Sequence, residues 1–392
     1  MKSAFKFLII FSAACLVLAS CEGPGGAPGE PGKDANENCI KCHNPGVVQA
    51  KAIEFEHSLH FTGEAFEEGT RNNCAPCHSH QGFLYVVKNN TPATFVADPL
   101  NAGKFLNNYI VNPATMALPG PISCFTCHNS LHNDYTEDEF LPLTTTAAVP
   151  MTMWGGSKSI NFAKASGNLC AKCHQPRPVT NAAGNVIDYS LLVSAPNANY
   201  NLSSVSYRTG VHYGSAAAMT AGTGGIEFGT DYSNTTPHTQ GASCVTCHMA
   251  TPSLLSGGHS FSATGNFAGC STTGCHSSVA DAKEKLTEIQ GDISDKLAAL
   301  ATKINAIGAG HDILQKDPVD NQYHGYIDIY DSGSNPTGYW KNPDFGTPSF
   351  PTLTNAQFGA ILNFQLIVRD GSMGVHNPSY IEKLLDKTLA AW

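Results

Sequence analysis

The chain has 392 residues, a length that corresponds to two or three domains. Only 14% of the residues are charged and the formal charge is −9, which excludes the basic face that a nucleic-acid partner requires. Gly and Pro number 37 and 23, so much of the backbone is turn and loop, and against that background 14 Cys beside 16 His stand out.

Lys2 and Lys6 precede an apolar run from Phe7 to Leu18, too short for a spanning helix and typical of a secretory signal peptide. The run ends Leu18-Ala19-Ser20-Cys21, which resembles the bacterial lipobox; the resemblance implies cleavage before Cys21 and lipidation of its thiol. Residues 1–20 are thus expected to be the signal. The mature chain is expected to be exported and lipid-anchored in the bacterial cell envelope, at the outer membrane, facing the periplasm or the surface. Acyl chains, at about 0.8 kcal/mol per buried CH₂, would hold it there without a spanning helix. Residues 21–38 are rich in Gly and Pro, contain nothing that packs a core, and read as a tether.

Twelve of the remaining cysteines form six pairs, each followed at once by His. Five are Cys-X-X-Cys-His: Cys39, Cys42 and His43; Cys74, Cys77 and His78; Cys124, Cys127 and His128; Cys170, Cys173 and His174; Cys244, Cys247 and His248. The sixth, Cys270, Cys275 and His276, has four intervening residues. Disulfides and structural zinc also use paired cysteines, but neither needs a His behind every second one. By chance, with 16 His in 392 residues, six out of six is on the order of one in 10⁸. Covalent haem c attachment does need this order: two thiols bond the vinyl groups and the adjacent imidazole reaches the iron. Six haems c are therefore expected, in a domain spanning residues 39–278.

Ten further His can supply the second axial ligand, for which neutral imidazole suits low-spin iron. Context favours His60 between Phe55 and Phe61, His132 four residues past His128, and His212 in Val-His-Tyr-Gly. It also favours His238 before the fifth motif, His259 in Gly-Gly-His-Ser-Phe, and His376 in Gly-Val-His-Asn-Pro. His57, His80, His311 and His324 have less support, although His57 lies three residues from His60 on a helical spacing.

Residues 279–392 are expected to be a C-terminal helical region. Leu286, Ile289, Ile293, Leu297, Leu300, Ile304 and Ile307 recur every three or four residues, giving an amphipathic helix over 279–307 closed by Gly308. Asp317 to Pro351 is dense in Gly, Pro and Asn and reads as an extended surface loop. A second helix is expected over 355–369, and a third from Asn377 as cap and Pro378 at its first position.

Cys244-Val-Thr-Cys247-His-Met, Gly-Gly-His259-Ser-Phe, the long helix and the closing segment Asn363-Phe to His376-Asn-Pro resemble multihaem c-type cytochromes related to the cytochrome c nitrite reductase and hydroxylamine oxidoreductase superfamily. The resemblance covers residues 39–392. It implies a mainly α fold with extensive irregular loops wrapped around stacked haems, and dimerisation through the C-terminal helices. No Lys follows any cysteine pair, unlike the nitrite-reductase catalytic motif, so the leading expectation is an electron carrier with no catalytic residue. Its partners would be redox-partner cytochromes or quinol-linked donors, with the membrane engaged through the lipid. A multihaem reductase or oxidase of small nitrogen or sulfur compounds, such as nitrite or hydroxylamine, with one open haem is the alternative, and a polymeric cytochrome filament a third.

Overall fold

The computed structural model describes residues 44–392 except 92–94, 98, 101–104, 108, 112–118, 129–142, 154–157, 178, 180–186, 201–204, 233–235 and 273. Cys21, Cys39, Cys42, His43 and His132 lie outside the described residues. Backbone contacts divide the chain into two compact units, Met1–Ala50 and Lys51–Trp392. Of the first, the described part is the beginning of the Pro45–Glu56 helix. The second is mainly α, with irregular loops and, among the described residues, three two-stranded antiparallel ribbons.

The longest helix, Val279–Asn305, begins where the Ser278 side chain accepts the Asp281 N–H and an acidic first turn suits the helix dipole. It buries Ile293, Leu297, Leu300 and Ile304 along one stripe, and the 3₁₀ turn Ala306–Gly308 ends it. The Asn355–Asp370 helix starts in a capping box between Thr354 and Gln357 and is buried nearly all round, as befits a central element. Its Asn363 donates to the Ile226 carbonyl at 2.9 Å and to Thr388 Oγ1 at 2.8 Å, so the buried amide is fully engaged. The Pro378–Leu389 helix has Asn377 as its cap and buries Ile381, Leu384 and Leu385 completely.

These three helices share one apolar core with Val179, Ile187, Leu192, Val211, Met219, Ile226 and Phe228, so that core draws on both sides of residue 279. The expectation of an extended surface loop over 317–351 is overturned. Leu314–Lys316 pairs with Tyr323–Ile327, and Ile327, Ile329 and Trp340 are buried at 1%, 2% and 6% exposure. The period-two burial of Gly325, Ile327 and Ile329 marks a strand, which the surrounding turn residues hide in the sequence.

The cysteine-rich part is built differently. Its apolar clusters are small: Ala75, Val86, Tyr109 and Val111 in one, Val149, Met151, Phe162, Ala171 and Ala217 in another. Four of the motifs form single helical turns, Ala75–His78, Cys124–Cys127, Gly167–Ala171 and Cys244–His248. Two of them are closed by their own sequence, because Thr126 and Thr246 accept the N–H groups of Ser123 and Ser243 at 2.9 and 3.1 Å. No described helix is long and apolar enough to cross a membrane.

Candidate functional site

Five motif imidazoles each face a second imidazole from elsewhere in the chain. His174 faces His60 and His78 faces His212, both with ring centroids 6.1 Å apart. His128 faces His259 at 6.1 Å, His248 faces His376 at 6.2 Å, and His276 faces His238 at 6.3 Å. Every described His expected as a second ligand is thus opposite a motif His. The matching follows no sequence order: the segment before the second motif serves the fourth, and the C-terminal loop serves the fifth.

The other candidates have different surroundings. Nδ1 of His57 lies 2.8 Å from the Ile53 carbonyl, and Nδ1 of His80 lies 2.9 Å from Thr126 Oγ1, contacts that leave Nε2 of each ring uncommitted. His311 stacks on Tyr339 at 3.5 Å, while Nε2 of His324 is occupied by Asp320 at 2.9 Å. His60 prevails over His57 because Ser58 caps a new helical turn, Leu59–Thr62, whose ring packs edge-on against Phe261 at 5.1 Å.

The tautomers follow from the acceptors. Backbone carbonyls of Ala65, Tyr213, Val375 and Phe261 lie 2.6, 2.7, 2.6 and 2.9 Å from Nδ1 of His78, His212, His238 and His248. A carbonyl can only accept, so each Nδ1 carries the proton and each Nε2 keeps its lone pair. His376 differs, with Nδ1 2.8 and 3.0 Å from the two oxygens of Asp370. Nδ1 of His259 is buried without a hydrogen bond, 3.6 Å from Glu54 Oε2, which instead accepts the His259 backbone N–H at 2.9 Å.

Burial pushes the imidazole pKa down in His60, His212 and His259, and to about 4 in His174. His60, His174 and His212 keep accessible surface, but protein atoms crowd them closely enough to cost hydration of the charged form. At His376 burial also acts downward, and the Asp370 carboxylate more than reverses it, leaving the pKa raised. Neutral imidazoles with free Nε2 atoms are the metal-binding form. Two such rings bound to one ion at about 2 Å per bond bring their centroids about 6 Å apart, the spacing of all five pairs.

None of the ten described motif cysteines is in a disulfide, and the motifs touch one another. The Cys77 thiol donates to the Lys172 carbonyl and the Cys173 thiol to the Pro76 carbonyl, each at 3.9 Å. The Cys244 thiol donates to the Gly167 carbonyl at 3.7 Å. Cys127 lies within electrostatic range of Cys170 and Cys173, as Cys247 does of Cys270 and Cys275. Gly269 permits the last approach, since a Cβ there would fall 2.1 Å from the Thr246 carbonyl oxygen. The second, fourth, fifth and sixth motifs therefore form a spatial series, with the third beside the fourth.

No protein-family profile matches the chain. The C-type polyheme cytochrome OmcC of Geobacter sulfurreducens is 28% identical over 161 residues, covering 38% of this chain and 19% of the relative. The chain thus spans about a fifth of the length of that curated relative. The crystal structure of the outer cell wall cytochrome OcwA is similar with a TM-score of 0.45 and 18% identity, over 87% of this chain and 50% of that one.

Sequence reading alone missed the carboxylates Asp370 and Glu54. The one signal for Asp370 was its position six residues before His376 in a Gly-rich turn; Glu54 reaches His259 across the fold and leaves no local trace.

Proposed function

We propose that the chain is an exported multihaem c-type cytochrome that carries electrons through six covalently attached haems, each held by two imidazoles. The observation that carries this reading is the set of five motif histidines, each facing a second imidazole at 6.1–6.3 Å. The similarity to the polyheme cytochrome OmcC supports it. The surroundings also fit a flat, largely apolar group: Leu59 and Phe61 beside His60, and Phe125 inside the third motif, are exposed at 83%, 58% and 60%.

In this reading the cysteines of each motif would hold a haem through thioethers, and His78, His128, His174, His248 and His276 would each supply one imidazole. His212, His259, His60, His376 and His238 would supply the second, in that order. Cys39, Cys42 and His43 would hold a further haem, and His132 would supply a further imidazole. Haem iron supplies one-electron exchange between ferric and ferrous states. The protein fixes the ligand rings through their Nδ1 partners, denies the irons an open position, and sets the groups side by side through the cysteine contacts. The route runs from the second motif through the fourth and fifth to the sixth, with the third as a branch. Cys21 supplies a lipid anchor at the outer membrane. The donors and acceptors are redox-partner cytochromes or quinol-linked proteins.

Pyridine haemochrome analysis with intact mass tests the reading. Six haems per chain are expected; a count of five points to an unloaded Cys270/Cys275 motif, and a haem-free protein overturns the proposal.

A further inference from the structure

We propose that Asp370 lowers the reduction potential of the haem site between His248 and His376 below the value that a neutral Nδ1 partner would give. The inference rests on the haem reading above. Nδ1 of His78, His212, His238 and His248 meets neutral backbone carbonyls, whereas Nδ1 of His376 meets both oxygens of a carboxylate. Two other carboxylates approach such rings without a hydrogen bond: Glu54 at 3.6 Å from His259, and Asp281 at 4.0 Å from His276. Glu54 is also matched by Lys51 at 2.7 Å, while Asp370 pairs with His376 itself.

The Asp370 side chain has 0% exposure, so its charge acts on the ring through little water. A carboxylate that draws on the Nδ1 proton gives the ring imidazolate character and makes Nε2 a stronger donor, which favours ferric over ferrous iron. The carboxylate is shared with a second donor: the Ser372 hydroxyl donates to Asp370, and its oxygen accepts the His376 backbone N–H at 3.3 Å. Asp370 does not reach the iron position. It is a positioning and tuning residue.

The test compares wild type with Asp370→Asn by spectroelectrochemical titration, with EPR as the spin-state readout. Asn keeps the shape and one acceptor oxygen but removes the charge. One haem's share of the signal is expected to shift positive by a factor of ten or more in its reduction equilibrium, about 59 mV for one electron, with all haems still low-spin. Unchanged potentials, or a negative shift, would overturn the proposal. Ser372→Ala removes a competing donor from the carboxylate and is expected to shift the same haem negative; a positive or absent shift overturns the proposal even where Asp370→Asn fails to mature. His376→Ala separates the two levels. If no haem becomes high-spin, the ligand assignment itself fails; if one does while both other variants leave the potentials in place, only the tuning fails.

Discussion

The carbonyl of Val375 lies 2.6 Å from Nδ1 of His238, one residue before His376 turns its own ring toward His248. A single turn, residues 370–376, therefore orients imidazoles in two neighbouring sites, those of the fifth and sixth motifs. The turn leaves the end of the Asn355–Asp370 helix and rests on the Val279–Asn305 helix, where Gln290 donates to the Ser372 carbonyl at 3.4 Å. The C-terminal helices thus act on the site by holding this turn in place.

Gly374→Val should disturb two sites at once. Gly374 has φ +97°, and a Cβ there would fall 2.8 Å from Ile293 Cγ1 and 3.0 Å from Ile289 Cγ1. The strain and overpacking together cost about 2–4 kcal/mol. EPR of the ferric variant should show altered signals for two haems, with the remaining low-spin signals unchanged. Changes confined to one haem would contradict the shared-turn arrangement.

His60→Ala and His57→Ala should behave oppositely. His60 faces His174 across 6.1 Å, whereas Nδ1 of His57 is turned back to Ile53. The first variant should create one high-spin, carbon monoxide-binding haem, and the second should leave the optical spectrum as in wild type. The reverse outcome would move the ligand to His57.

Local signals made much of this structure legible in the sequence. The long helix was expected over 279–307 from its apolar repeat and runs over Val279–Asn305; Asn377 and Pro378 start the last helix as their capping chemistry requires. Which imidazole faces which was not legible, because each described pairing joins distant segments and nothing in the sequence around His259 names His128. The hairpin at Leu314–Ile327 was lost for a different reason: its few apolar residues are scattered among Gly, Asn and Asp, so composition outweighed periodicity. Asp370 was passed over because a carboxylate gains meaning there only once its side chain is buried against a ring.

Protein produced without haem should be loosened unevenly. The C-terminal helices lie in the large core, which includes Ile293, Leu300, Phe358, Ile361 and Leu384, all buried to 1% exposure or less. Among the described residues, the second motif region has the cluster of Ala75, Val86, Tyr109 and Val111, too small to offset the chain entropy of its loops. Hydrogen exchange of haem-free protein should therefore show protection retained over 279–305 and 355–389 and lost over 59–128. Equal protection in both regions would contradict a cofactor-dependent N-terminal core.

The packing of the last helix offers an independent check on that core. Leu384 and Leu385 are fully buried. Leu384→Ala should lower unfolding stability by about 2–5 kcal/mol while leaving the haem count unchanged. Chemical denaturation followed by tryptophan fluorescence measures the first quantity and intact mass the second.

Low-temperature EPR of the as-isolated ferric protein, quantified against its haem content, distinguishes fully paired irons from an open one. With His60, His212, His238, His259 and His376 opposite their motif partners, and with the first motif's haem paired as proposed, essentially all of the iron should be low-spin, and nitrite or hydroxylamine should not change the spectrum. A high-spin signal amounting to one haem per chain, shifted by either molecule, would contradict the electron-carrier reading and favour a reductase.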